Sequence, residues 1–283
     1  MVKLDYLVIG HVTRDLVDGG FTIGGTVSYA ARTAQALGCR VGILTSASPD
    51  FDLSHALDNI LIARTPAAAT TTFENIYTSG GRCQMLHAIA ETLVPEMMPS
   101  NWTVAPNGIV HLGPVAQECA PALVDAFGDA FVGLTPQGWM RCWDQTKQVS
   151  RCSWKEAEPL LARADAVVLS EEDVAGDETL VSRYAAQTRL LVLTRGASGC
   201  TVYTAGQSRH FPAPAVQEID ATGCGDVFAA TFFVWRQRSG DPWAAARLAN
   251  RIAARSVTRE GLQGTPMPNE VERCKEKIVM RDT

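Results

Sequence analysis

The stretch DATGCGD, Asp220 to Asp226, leads without a break into VFAATFFVWRQR, Val227 to Arg238. Gly223 and Gly225 flank one small residue, Cys224, and glycine tolerates the backbone angles that turn successive N–H groups toward a single point. The apolar run behind them reads as a helix. Its first N–H groups lack intrahelical acceptors and its dipole is positive at that end. Such a place holds an anion. Asp226 falls in the first helical turn, and a carboxylate beside an anion pocket is a poor choice for binding alone. It makes sense where the carboxylate takes a proton from a hydroxyl while the N–H groups of Gly223, Cys224 and Gly225 stabilise a phosphoryl group in transfer. A plainer reading fits the same letters: Asp226 caps the helix and the glycines shape a tight turn.

Outward from this stretch, short apolar runs recur at Tyr6–Ile9, Val41–Leu44, Ile109–Leu112, Ala130–Leu134, Ala166–Leu169 and Leu190–Leu193. Helix-like stretches such as Ser28–Leu37 and Ala116–Phe127 separate most of them. Short buried strands alternating with helices predict an α/β fold, a mostly parallel central sheet with helices on both faces. Thr70 to Leu93 is different: it alternates, is rich in Thr, Phe, Ile and Tyr, and carries Gly80-Gly81 in its middle. That pattern predicts a β-hairpin. Met97–Pro99 and Pro106–Gly108 read as loops between elements. No repeat, low-complexity tract or interdomain linker divides the chain, so one domain over 1–283 is expected.

Composition narrows the function class. Hydrophobic residues make up 46% and charged residues 19%, as in an ordinary globular protein. A net charge of −5 argues against a general nucleic-acid surface. No apolar run approaches the ~20 residues needed to cross a bilayer. The opening MVKLDYLVIG reads as a buried strand, too short in its apolar part for a signal peptide. Eight cysteines show no CxxC pair, and reduced thiols in a cytoplasmic protein are expected. Five histidines show no HxxxH or HxxE pattern, so no transition-metal site is read.

DATGCGD with VFAA resembles the DTxGAGD signature of the ribokinase-like (PfkB) carbohydrate kinase family. Four more segments resemble that family in order: LVIGHVTRD at Leu7–Asp15, IGGTVSYAARTAQALG at Ile23–Gly38, LVLTRGASGCTVY at Leu191–Tyr203 and LANRIAARSVTREGLQGTP at Leu248–Pro266. The resemblance implies a ribokinase-like sheet with a small β lid, built from elements near 12–23 and 70–93, over the substrate. A lid makes physical sense, because water admitted to the site would compete for the phosphoryl group. The first lid segment is short, so a reduced lid is expected.

The same resemblance assigns Asp15, just after a strand end, to polyol hydroxyls. Gly24 and Gly25 permit close backbone approach to a ligand, or simply start the helix at Thr26. Relatives usually carry Asn where this chain has Tyr29, which offers an aromatic face and a phenol instead of an amide. Asn75 and Arg82 lie on the predicted lid hairpin and could point at the substrate; guarding an exposed strand edge explains Arg82 equally well. For ATP, the family pattern Asn-x-x-Glu falls on Ser170 and Asp173, both changed but both oxygen-bearing, and implies outer-sphere handling of Mg2+ through Asp173. A helix cap with an acidic first turn fits those letters too. Thr194, Gly196 and Gly199 are placed against the ribose or purine, Asn250 and the small Ala253 along the adenine pocket. Asp220 matches a residue that helps hold a monovalent cation such as K+.

The resemblance therefore implies an ATP- and magnesium-dependent kinase acting on a small hydroxylated substrate, as a monomer or homodimer. Only Arg14 and Arg82 lie near the substrate positions, too few for a sugar that is already phosphorylated, so a neutral polyol is favoured. The phrases GGTVSY, FENIYTSGGRCQ and HLGPVAQE point toward the branch that includes myo-inositol kinases. A nucleoside kinase and a catalytically weak sugar- or nucleotide-binding protein of the same fold are the alternatives.

Overall fold

A computed structural model of the chain describes residues 1–78 and 81–279, with side chains omitted at 77, 78, 81, 82 and 277–279. Its strands are β1 Val2–Ile9, β2 Thr13–Val17, β3 Gly20–Gly24, β4 Val41–Ala47, β5 Leu61–Pro66, β6 Thr71–Thr78, β7 Gly81–Ala88, β8 Trp102–Leu112, β9 Phe131–Leu134, β10 Arg141–Trp143, β11 Val149–Arg151, β12 Ala166–Ser170, β13 Leu190–Thr194, β14 Cys200–Thr204 and β15 Gln207–Phe211. Its helices are α1 Thr26–Ala36, α2 Ala157–Arg163, α3 Glu178–Gln187, α4 Cys224–Ser239, α5 Pro242–Ser256 and α6 Pro268–Val279.

The main sheet has nine strands in the order β15-β14-β13-β12-β9-β8-β1-β4-β5. All pairs are parallel except those made by β14 and β15. Its central strands are buried on both sides, which is why they read as unbroken apolar runs. One core packs α1, α4, α5 and α6 on one face around Tyr6, Phe232 and Phe233. The other packs α2, α3 and the 3₁₀ turn Pro121–Asp125 around Leu7, Leu123 and Leu191. Because the strands run parallel, the C-terminal ends of β1, β8, β9, β12 and β13 share one edge, where open α/β sheets receive ligands.

Above that edge stands a second sheet of four strands, β3-β2-β6-β7, joined by the short ribbon β10-β11 through a Met85–Gln148 bridge. The predicted hairpin is β6 and β7, although its Gly80 lies outside the described residues. The short first segment still supplies two full strands, so this sheet is not reduced as expected. Its root is stitched to the body by buried side chains. His11 meets Thr71 Oγ1 at 2.7 Å through Nδ1 and the Glu91 carbonyl at 2.8 Å through Nε2. Val12 N donates to Thr45 Oγ1, and Glu91 N donates to Ser46 Oγ.

Two sequence expectations fail. Pro106–Gly108 is not a loop: β8 runs through it, Asn107 adopts a positive φ of 64°, and the pairing with β1 shifts register between Leu4 and Tyr6. Ala116–Phe127 is not one α-helix: it opens as a loop and tightens into the 3₁₀ turn Pro121–Asp125. The Glu118 carboxylate, 2% exposed, accepts bonds from the backbone N–H groups of His11, Val115 and Ala116 and holds the opening residues in that loop. Among the described residues, no helix is long and apolar enough to cross a membrane.

Candidate active site

α4 begins where the sequence says an anion loop should end. Gly223 is its N-cap with φ 74°, a left-handed conformation that glycine adopts at little cost. An added Cβ there would stand 2.2 Å from the Tyr29 ring, so glycine is required by packing as well. Tyr29 is 3% exposed and forms the floor of the loop rather than a face presented to a ligand. Burial, with Asp226, Asp15 and Asp220 nearby, pushes its phenol well up.

The cradle differs in one member from expectation. The Cys224 N–H closes a turn onto the Ala221 carbonyl at 3.1 Å. Gly225 and Asp226 occupy the next two positions of the first turn, where N–H groups have no acceptor within the helix. Space beside Gly225 is open for a ligand. The Cys224 thiol contacts the Ala253 carbonyl and burial pushes it up to about 11, so it is not a nucleophile at neutral pH.

Asp226 as a whole residue is half-buried, while its carboxyl group sits among protein atoms. Burial pushes its carboxyl up to about 6; a bond from the Thr26 hydroxyl and the charge of Arg141 act against that shift, and Asp173 reinforces it. Thr26 is the first residue of α1, so the Gly24-Gly25 turn delivers a hydroxyl to the carboxylate of another helix. Gly25, φ 87°, leaves no room for a side chain against the His11 carbonyl. Gly24 is bare for a different reason: a Cβ would lie 2.1 Å from Asp15 Oδ2. The Asp15 carboxylate therefore rests on Gly24, and Thr13 Oγ1 donates to it at 2.8 Å.

The remaining candidates separate. Asn75 accepts from Gln84 across β6 and β7 at 3.0 Å, while the side chain of Arg82 lies outside the described residues. Arg14 stacks on Phe21 and Phe51, with its Cζ 4.8 and 5.3 Å from the ring centroids. Ser170 and Asp173 cap one another: Ser170 N donates to Asp173 Oδ2 at 2.8 Å and Asp173 N to Ser170 Oγ at 3.2 Å. The segment behind them is a run of turns, and α3 starts only at Glu178, capped by Asp177. Burial raises the Asp173 carboxyl despite bonds from Ser170 and Gln137 and the charge of Arg141.

On the nucleotide side, Thr194 ends β13 and Gly196 is open on its Cα side, whereas Gly199 is bare because β15 presses on it, with Phe211 O 2.1 Å from a built Cβ. Asn250, 5% exposed, donates to the Phe211 carbonyl at 2.8 Å and so ties α5 to β15. Asp220 pins the loop, accepting from Thr222 N at 2.9 Å and Gly261 N at 2.8 Å. Sequence reasoning overlooked Thr26, Gln137 and Arg141. Thr26 alone carried a signal, as the residue after the paired glycines.

Residues 147–270 match the sequence profile described as pfkB family carbohydrate kinase. That match covers somewhat under half of the chain, and the chain is similar to pfkB family carbohydrate kinases over that part. It is 30% identical to the fructokinase of Klebsiella pneumoniae over 177 residues, 57% of this chain and 55% of that protein. That alignment spans only about half of the fructokinase. The inositol 3-kinase of Zea mays is 26% identical over 297 residues, covering 92% of this chain and 73% of that one. Among solved structures, a pyrophosphate-dependent kinase of the ribokinase family, complexed with a pyrophosphate analog and myo-inositol, superposes with a TM-score of 0.78 at 21% identity, over 95% of this chain and 99% of that one. This likeness establishes the ribokinase fold. The four-stranded sheet is consistent with a lid in that fold, and DATGCGD, which resembles the family signature, lies at the start of α4 within the matched residues.

Proposed function

We propose that this chain transfers a phosphoryl group from magnesium–ATP to a hydroxyl of a small neutral polyol, a sugar or a cyclitol such as myo-inositol. The observation that carries the reading is Asp226, a carboxylate raised to about 6 by burial, set in the first turn of an anion-binding helix. A base with that value is ionised at neutral pH and still basic enough to receive a proton. It takes the proton of the acceptor hydroxyl, while the N–H groups of Gly223, Gly225 and Asp226 stabilise charge on the phosphoryl oxygens. The lid, packed through Phe73 and Leu86 onto Val115 and Ala116, keeps water from the reaction.

A neutral acceptor fits because the substrate positions read from the sequence offer Arg14, stacked on Phe21 and Phe51, and Arg82 alone, whereas a sugar that is already phosphorylated calls for several cations. The inositol 3-kinase relative and the myo-inositol complex of the structural neighbour support a cyclitol. Among the described residues no group of three His, Cys, Asp or Glu could hold a metal. Magnesium carried on the donor phosphates fits this arrangement, with Asp173 and Ser170 ordering its water, and it supplies neutralisation of phosphate charge. The Asp220 carboxylate is the candidate ligand for a monovalent cation such as K+.

The test is a matrix of donors, ATP and pyrophosphate, against cyclitols, pentoses, hexoses and nucleosides. A phosphorylated cyclitol or sugar is the expected product; exclusive turnover of nucleosides, or of nothing, overturns the reading. With the acceptor in hand, Asp15→Ala should raise its KM roughly ten- to hundredfold, since hydroxyls lose a charged acceptor worth ~1.5–3 kcal/mol. The KM for the donor should barely move, and an unchanged acceptor KM would leave Asp15 a structural role beside Thr13 and Gly24. Asp173→Ala should act mainly by raising the magnesium requirement, with excess metal restoring much of the rate. Lost stability with an unaltered magnesium titration would instead mark the Ser170–Asp173 pair as a turn cap alone.

A further inference from the structure

Arg141 opens β10 directly after the 3₁₀ turn Pro136–Met140, and it meets four parts of the site at once. Its Nη1 donates to the Val115 carbonyl at 3.2 Å, in the loop that follows β8. Its Cζ lies 5.7 Å from the ring centroid of Phe73, on lid strand β6. Its charge bears on Asp226 of α4 and on Asp173 beyond β12, in each case opposing the effect of burial. Its own carbonyl accepts from Gln117 Nε2, which fixes the strand from which the side chain springs.

Two half-buried carboxylates, beside a cradle for phosphate oxygens, concentrate negative charge where more must arrive. A guanidinium is suited to that place, because it is always charged and its planar fork matches phosphate oxygens in pairs. The carbonyl bond and the Phe73 ring hold the plane in advance, so little side-chain freedom is left to lose on binding.

We propose that the Arg141 guanidinium is a phosphate ligand of this site, contacting the phosphoryl group in transfer, and that its seat on Phe73 ties this contact to the lid. The catalytic part of the proposal rests on the phosphotransfer reading above. In the step, the bond from phosphorus to the donor's bridging oxygen breaks and its electron pair leaves with the donor. A bond forms to the acceptor oxygen, whose proton passes to Asp226. Arg141 stays protonated throughout and shares the charge of the phosphoryl oxygens. The competing role is neutralisation of Asp226 and Asp173 alone, which any cation would serve.

Arg141→Lys and Arg141→Met, made in the full chain, distinguish the two. Calorimetric binding of inorganic pyrophosphate reads the ligand role without turnover: the wild type should bind it, and Arg141→Met should weaken binding roughly tenfold or more. With an acceptor found in the donor–acceptor matrix, Arg141→Lys should keep the wild-type Tm yet lose roughly tenfold or more in kcat, since it keeps charge but not the fork. Its acceptor KM should stay within about threefold. Should Arg141→Met fail to fold, the lysine variant carries both measurements. Absence of pyrophosphate binding to the wild type, equal binding by the variants, or full kcat in Arg141→Lys would each overturn the proposal. Arginine-dependent pyrophosphate binding with no acceptor phosphorylated would overturn the polyol kinase reading while the phosphate ligand stands.

Discussion

Asp226→Asn is expected to lower kcat by ~10²–10⁴ while donor and acceptor affinities stay within about threefold. The amide keeps the shape of the carboxylate and its place beside Thr26, but it cannot accept the acceptor's proton. More than roughly a tenth of wild-type turnover in the variant would exclude general-base catalysis here. The same substitution should move stability in the opposite direction. Burial raises the Asp226 carboxyl from 3.8 to about 6 in the folded chain. Between those values the folded state holds a proton that the unfolded state has released, so stability falls as pH rises through the window. Above it the ionised, buried carboxylate is a standing cost that asparagine lacks. The variant's Tm at neutral pH should therefore exceed that of the wild type, and the gap should close as pH falls through 6 toward 3.8. A variant both inactive and less stable at neutral pH would point to a structural role for the carboxylate. In the wild type, kcat/KM should fall as pH drops below about 6, as the base becomes protonated.

Gly223→Ala is the second change with a large expected effect. Alanine would have to adopt φ 74° with its Cβ 2.2 Å from a buried tyrosine ring. Left-handed strain of this kind costs ~1–3 kcal/mol, and the ring cannot retreat from a site where it is 3% exposed. The loop relaxes by swinging its N–H groups off their target, and losing one such donor lowers kcat by ~10²–10³. Gly225→Ala is the matched control: nothing lies within 4 Å of its added Cβ, and alanine is the better helix former. Its stability should hold or rise. Equal losses of stability in both variants would mean that the left-handed turn over Tyr29 is not what sets the loop.

Much of this was legible in the sequence because it is written locally. β1, β4, β9, β12 and β13 announce themselves as apolar runs, since a parallel strand covered on both faces needs no polar alternation. The glycine–aspartate signature and the Gly24-Gly25 turn are contiguous, so their chemistry can be read from neighbours in the chain. What failed to read was set by distant partners. Proline and glycine at 106–108 look like a break, yet β1 absorbs the irregularity as a register shift. The apolar spacing of 116–127 looks helical, yet the Glu118 carboxylate claims backbone N–H groups from two segments. Tyr29 reads as an aromatic face for a ligand, whereas Gly223, far along the chain, lies over its ring. Arg141 sits in TPQGWMRCW, which has no periodicity to mark it, and its importance exists only once four elements converge.

The stitched root of the lid has a mechanical consequence. His11, Thr45, Ser46 and Thr71 clamp the strands where they leave the body, and these four side chains are fully buried. A beam clamped at its base does not swing as a door does; it flexes along its length. Travel is smallest beside Thr13 and Thr71 and grows toward Phe21 and Ile76, both of which face solvent. Asp15, one pleat above the clamp, is thereby held close to the body. The outer strands can change their side chains without loosening the anchorage beneath them.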